Sequence, residues 1–497
     1  MSEELLSRMR GLVGSQGQPL VARHAIGTAA IADWCDAMGD DNPCYTDPEY
    51  AAKSVHGGVV APAATLDIWV RPGLPAQSPA GRRGDDPQSR VIAMLEEAGY
   101  VGVVAVNSEL EVARYLRPGE VLQGVQVLED VSEEKQTGLG IGHFLTTRTR
   151  YTNADGEHVG DLLFRILKFK PGTGAAPKAE DSDKPKPVQV PSDPSMRPRP
   201  AINRDNQVLW DGYRRHELRV PQCQACKRTF FPSSPRCAEC GSFDMGYAVC
   251  SGKGALYSHV VAHYPPVPGF AYPLPVGLIE LEEGPRMVAD LVGLTRDQLV
   301  IGMPLEVDWL DSHPALEPGA RDSQGPITLP RFRPATPVRR TETRKAGDLA
   351  EGESLPVWVL PVTPTGITAG ALSTRDFQDV HHDRDLAHKK GSADIFFNIN
   401  TSIGLMERYV TDWLGPEALV HALRVKLGAP AYPYNHLTFT GSVQSIDAST
   451  GRAVVAVTAK NKLGSHISGT VEVELPHEVA PLRSTTPRGP REGGPRG

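Results

Sequence analysis

Residues 372–413 read LSTRDFQDVHHDRDLAHKKGSADIFFNINTSIGLMERYVTDW, and this stretch decides the fold. Asp376 and His381 stand five residues apart in a polar, turn-like segment. Beyond it Ile395, Ile399, Ile403, Met406, Val410 and Trp413 recur at steps of three and four, the period of a helix with an apolar face. A helix of about 19 residues rises roughly 28 Å, enough to form the centre of a small domain. A carboxylate and an imidazole on a loop held by a rigid helix can orient a water and take its proton. The duller reading makes Asp376 a local turn cap and His381 an exposed loop residue.

Downstream, LTFTGSVQSI, RAVVAVTAKN and HISGTVEVELP alternate as a meander of strands, so 351–476 is expected to be a sheet wrapped on a helix. The tail, 477–497, is expected to be disordered. Residues 1–169 follow the same plan. Thr28 can cap a helix whose Ile31, Trp34, Cys35 and Met38 share a face and which stops at Gly39. The loop DDNPCYTDPEY comes next, then a Pro/Gly-rich run from Arg71 to Gln88 read as surface loop, then strands from Glu109 to Lys168. Asp40-Asp41-Asn42-Pro43-Cys44-Tyr45-Thr46-Asp47 aligns without a gap on Asp376-Phe377-Gln378-Asp379-Val380-His381-His382-Asp383, which indicates a diverged internal duplication. Tyr45 takes the place of His381, and a phenol of ordinary pKa is no base near neutrality. Asp40 and Asp47 read as structural remnants, Asp383 as a helix cap and His382 as a bystander.

Between the two units lie a Pro-rich linker (170–200), a cysteine-bearing β module (201–312) and a second Pro/Arg-rich linker (313–350). Cys223-x2-Cys226 and Cys237-x2-Cys240 have the spacing of a tetrahedral Zn(Cys)4 ribbon, closed and therefore structural. A redox dithiol would need a thioredoxin-like βαβ unit that is absent from the pattern. Cys35, Cys44 and Cys250 read as ordinary thiols. The length of 497 residues implies two to four domains, and the net charge of −7 argues against nucleic acid as a general partner. No apolar run approaches a membrane span, and MSEELLSRMRGLVG reads as an amphipathic helix, so the expectation is a cytoplasmic, multidomain protein.

The Asp40-x-Asn42-Pro43 stretch, the Asp376-x(4)-His381 spacing and the ending AKNKLGSHISGTVEVELP resemble MaoC-like (R-specific) enoyl-CoA hydratases of the hot-dog fold, over roughly 20–169 and 355–476. The middle module resembles the zinc-ribbon plus OB-fold family found beside thiolase-like enzymes. The whole order is similar to a fused steroid side-chain enoyl-CoA hydratase. The last copy has Gln378-Asp379 where Asn-Pro is common, closer to the sterol-specialised branch. The resemblance implies an α+β protein with two hot-dog domains forming a pseudo-dimer, one catalytic (351–476) and one degenerate (1–169), plus the zinc-ribbon/OB domain. It implies Asp376 and His381 on the water, Asn398 or the amide of Ile399 near the thioester oxygen, and CoA arriving as part of an acyl-CoA substrate. It implies structural zinc, no redox cofactor, a thiolase-fold aldolase (lipid-transfer-protein-like) as partner, and a homo-oligomer. A non-catalytic scaffold and a hot-dog thioesterase remain the competing classes.

Smaller features stay open at this level. Lys389 and Lys390 could meet CoA phosphates or be a solvated pair, and Arg82 and Arg83 stand likewise. Tyr264, Phe270 and Tyr272 among prolines suit a docking or acyl-contacting loop as well as ordinary packing. An OB fold that bound nucleic acid would interleave basic and aromatic residues, but GLIELEEG and MPLEVDWLD are acidic. The GLGIG run at 138–142 lies in strand sequence without the opening helix of a dinucleotide site.

Overall fold

The computed structural model describes residues 3–74, 86–174, 193–294, 296–313 and 326–476. Arg82, Arg83, most of the first expected linker and the C-terminal tail lie outside these residues.

Two antiparallel half-sheets join edge to edge into one 11-stranded sheet. The seam is strand Gly102–Val112 of the first half against Leu419–Leu427 of the second, with Leu110 opposite Leu423 and Ser108 opposite Val425. Alternation supplies the pairing: every second side chain of Arg452–Asn461 (Ala453, Val455, Val457, Ala459) is buried, so one face of the sheet closes on the helices.

The central helix of the second half runs Ile399–Leu414. It starts four residues later than Ile395, because Asn398 caps it by accepting from the Thr401 amide at 2.7 Å. It is also buried on nearly every side, polar residues included, since the sheet covers one face and the first half the other. At the crossing with the helix Thr28–Met38, a Cβ on Gly404 would stand 2.6 Å from the Trp34 ring, so glycine sets the approach of the two halves.

The duplication is visible in local geometry. Asp40 lies 336 positions before Asp376, and at the same offset Gly39 and Arg375 both adopt left-handed backbone (φ 62° and 53°) at the ends of Thr28–Met38 and Pro364–Ser373. Asp40 N then bonds Cys35 O at 2.8 Å and Asp376 N bonds Ala371 O at 2.9 Å. Asp47 and Asp383 each cap the short helix that follows. The copies diverge at the central helix. Among the described residues, the stretch opposite the first part of Ile399–Leu414 forms two 3-10 turns, Ala63–Thr65 and Ile68–Val70, with Pro72 after them.

The middle module has a ribbon hairpin, Arg219–Cys223 with Met245–Val249, and a five-stranded sheet. That sheet curls towards closure through a parallel bridge between Leu291 and Phe332. Here the structure differs from the sequence reading: Ile327–Pro334, expected as linker, is the fifth strand and pairs with Pro304–His313. Its Ile327, Thr328 and Phe332 are buried; prolines and arginines between them mask the pattern in sequence. The following segment lies on the second half, Arg340 N bonding Asp412 O and Arg344 N bonding Leu414 O. Among the described residues no helix is long and apolar enough to cross a membrane.

Candidate active site

His381 ends the 3-10 turn Asp379–His381, packed edge-on against Phe396. Its Nδ1 lies 2.8 Å from the Phe396 carbonyl, an acceptor only. The proton must therefore sit on Nδ1, which leaves Nε2 with a bare lone pair. Nε2 faces Asp376 Oδ2 at 3.6 Å. Both side chains are buried, with residue exposures of 6% for His381 and 8% for Asp376. Burial pushes the His381 ring below its ordinary value, and Asp376 and the Phe396 carbonyl oppose this only in part. His382 is exposed, its Nε2 3.3 Å from the Phe377 carbonyl.

Asn398 serves the helix: besides capping, its Nδ2 donates to Thr374 Oγ1 at 2.6 Å. The next amide, that of Ile399, opens the helix, where backbone N–H groups have no partner within it and the dipole favours negative charge. Lys390 Nζ is paired with Asp379 at 2.8 Å, and Lys389 points into solvent.

Sequence reasoning missed a residue that the first half sends to this site. Arg71 Nη1 lies 3.7 Å from Asp376 Oδ2. It sits in the run read as surface loop, and although Asp67 is four residues away, its partners Asp376 and Asn400 lie about 300 residues along the chain, so local spacing does not announce it. Burial alone would raise the Asp67 carboxyl, but Arg71 and the bonds from Arg71, Tyr151 and Asn400 hold it below the ordinary range.

The corresponding place in the first half is built differently. Asp40 binds Arg339, which also pairs with Asp41 at 3.0 Å and Asp412 at 2.5 Å, so an arginine fills this acidic cluster. The Tyr45 hydroxyl donates to Glu407 Oε1 at 3.4 Å, and burial above all raises its pKa further. Glu407 is fully buried and takes the amides of Ala63 and Ala64 at 2.9 and 2.7 Å.

Two cavities lie elsewhere. One of about 340 Å³ separates the middle module from the second half, between Arg197, Arg331, His436 and Lys462. Another of about 530 Å³ lies at the seam beside His56, Tyr115 and His421. Neither is lined by Asp376 or His381, both of which are buried.

The sulfur atoms of Cys223, Cys226, Cys237 and Cys240 all lie within 4.8 Å of one another, with cross pairs at 3.5 and 3.7 Å. A tetrahedron with Zn–S near 2.3 Å requires about 3.8 Å between sulfurs, so the four thiols fit a closed structural zinc site. Cys35, Cys44 and Cys250 are buried free thiols.

A family model described as the FAS1-like dehydratase domain region matches residues 13–162. The rubredoxin-like zinc ribbon domain of ChsH2 matches 210–246, and its C-terminal OB-fold domain matches 247–310. A "Probable enoyl-CoA hydratase alpha subunit" of Thermomonospora curvata is 39% identical over 338 residues, 67% of this chain and 98% of that protein. The "3-oxo-4,17-pregnadiene-20-carboxyl-CoA hydratase beta subunit" of Mycobacterium tuberculosis is 49% identical over 124 residues, 25% of this chain and 95% of that protein. A solved MaoC-like dehydratase, 17% identical, matches 94% of this chain and 100% of its own with a TM-score of 0.51, a likeness of fold.

Proposed function

The chain belongs to the enoyl-CoA hydratase alpha-subunit family and carries a beta-subunit-like segment in the same polypeptide, and on that basis we propose that it hydrates a bulky 2-enoyl-CoA at Asp376 and His381. The observation that carries the reading is the pair of facing acceptors, Oδ2 of Asp376 and Nε2 of His381, 3.6 Å apart. One water donating a hydrogen bond to each would be held with its oxygen lone pair free. That oxygen attacks C3 of the enoyl thioester; the proton it loses passes to the pair and is returned to C2. Both new bonds come from the same face, so the addition is syn. The thioester oxygen, which gains charge, is placed by this reading near the Ile399 amide. Lys389 and Lys390 stay candidates for the CoA phosphates.

Among the described residues, two short turns over 63–70 of the first half stand where the second half begins a full helix, which favours a large acyl group. The M. tuberculosis relative's name specifies a pregnadiene-carboxyl-CoA, so a steroid side chain is the proposed acyl class. The middle module is proposed to dock a thiolase-fold aldolase that consumes the hydrated product; its strands expose Tyr257, Val260 and Val288, and Tyr264 is exposed beside them. Four thiolate ligands suit a reducing, cytoplasmic compartment.

The test mixes purified protein with a steroid side-chain 2-enoyl-CoA and follows enoyl absorbance and free thiol together. Loss of the enoyl band without thiol supports hydration. Thiol release means a thioesterase, and silence on both with tight aldolase binding means a scaffold.

A further inference from the structure

Arg71 belongs to the half that lacks the catalytic histidine, yet it is fixed against the working pair. Its Nε donates to Asp67 Oδ2 and its Nη2 to Asn400 Oδ1, both at 2.8 Å. Asp67 in turn accepts from the Tyr151 hydroxyl at 2.8 Å and from Asn400 Nδ2 at 3.4 Å. Asn400 is the second residue of the central helix, so the clamp spans both halves beside Asp376. Tyr151 anchors it to the first half's sheet.

The duplication gives this placement a comparison within the molecule. At the offset of 336 that relates Asp40 to Asp376, the counterpart of Arg71 is Glu407. Glu407 lies over the start of the turn Ala63–Thr65, as Arg71 lies over the start of the helix Ile399–Leu414. The working half therefore meets a guanidinium from its partner where the degenerate half meets a buried carboxyl group. In the degenerate half Asp40 needs Arg339 to neutralise it.

We propose, resting on the hydration reading above, that Arg71 is a positioning residue for catalysis: its guanidinium, clamped by Asp67 and Asn400, aims the Asp376 carboxyl at the water beside His381. The degenerate half would then be part of the catalytic machinery as well as a wall of the substrate site. The charged groups facing the pair are Arg71 with Asp67 behind it, His382, Arg375 on the Arg71 carbonyl at 3.5 Å, and the Asp379–Lys390 pair. Burial, His382 and Arg71 act in one direction on His381, and Asp376 acts in the other.

The experiment compares wild type with Arg71→Met, Arg71→Lys and the double variant Asp67→Asn/Arg71→Met across pH. Arg71→Met should lower kcat at least about tenfold with KM within about threefold, and move the acid limb of kcat/KM up by about one pH unit. Arg71→Lys should recover part of both. The double variant removes the carboxylate that Arg71→Met would leave buried and unpaired, so it should fold like wild type and still show the shifted limb. An unmoved acid limb in the double variant, or full recovery of kcat there, would overturn the proposal and leave Arg71 a structural role only. If wild type is inert towards the enoyl-CoA, the hydration reading fails first and takes this one with it.

Discussion

His381 Nε2 and Asp376 Oδ2 face each other at 3.6 Å while His381 Nδ1 is committed to the Phe396 carbonyl. Two acceptors across such a gap repel unless a donor stands between them, which is the property that makes the pair a water site. The arrangement works only with a neutral imidazole. The ring's folded pKa lies below its ordinary 6.5, burial being the main cause, so it stays neutral to lower pH than a free histidine. Activity should be present above the lowered value and be lost as pH falls through it. A kcat/KM profile should place the acid limb below 6.5; a limb at or above 7 would show that Nε2 is protonated near neutrality.

Glu407 makes the junction of the halves pH-sensitive. Burial pushes its carboxyl up to about 7, with Asp40 adding to the rise and the Ala63 and Ala64 amides opposing it. A folded pKa above the unfolded 4.5 means stability that is present below 4.5 and lost as pH rises through about 7. Asp412, raised to about 6 chiefly by burial, acts in the same direction. Each unit of difference corresponds to about 1.4 kcal/mol. Urea midpoints should therefore fall from pH 5 to pH 8 in wild type. Glu407→Gln should start lower, by about 1 kcal/mol for the amide it can no longer accept, yet vary less with pH. Equal slopes in the two proteins would contradict the assignment.

The ribbon should contain one zinc ion per chain. Cys223→Ala should abolish metal retention after dialysis and loosen the hairpin Arg219–Cys223 with Met245–Val249. Hydration should be nearly unchanged, because the ribbon shares no strand with the large sheet and neither Asp376 nor His381 lies in the ribbon. A metal content unaffected by Cys223→Ala would place the ion elsewhere.

Local spacing makes part of the site and of the fold legible in the sequence. Asp376, His381 and the four cysteines stand at intervals that chemistry dictates, and the repeated Asp40–Asp47 octet exposes the duplication. Arg71 cannot be found that way, since its meaning comes from Asp376 and Asn400 in the other half. The strand Ile327–Pro334 is hidden by Pro330, Arg331 and Arg333, which break its apolar pattern. Glu407 does leave a signal: it lies four residues after Ile403 and next to Met406, on the apolar side of the central helix, where an acid is out of place. Period alone starts that helix too early because Ile395 continues it by chance, whereas the Asn398 cap fixes where it begins.

The most direct test of the central claim is turnover of a steroid side-chain 2-enoyl-CoA by Asp376→Asn and His381→Ala, with Tyr45→Phe as the matching change in the first half and folding checked by circular dichroism. The account predicts that each of the first two loses at least about 100-fold in kcat with the fold intact, while Tyr45→Phe stays within a few-fold of wild type. Retained turnover in Asp376→Asn or His381→Ala, or a loss in Tyr45→Phe as large as theirs, would contradict it.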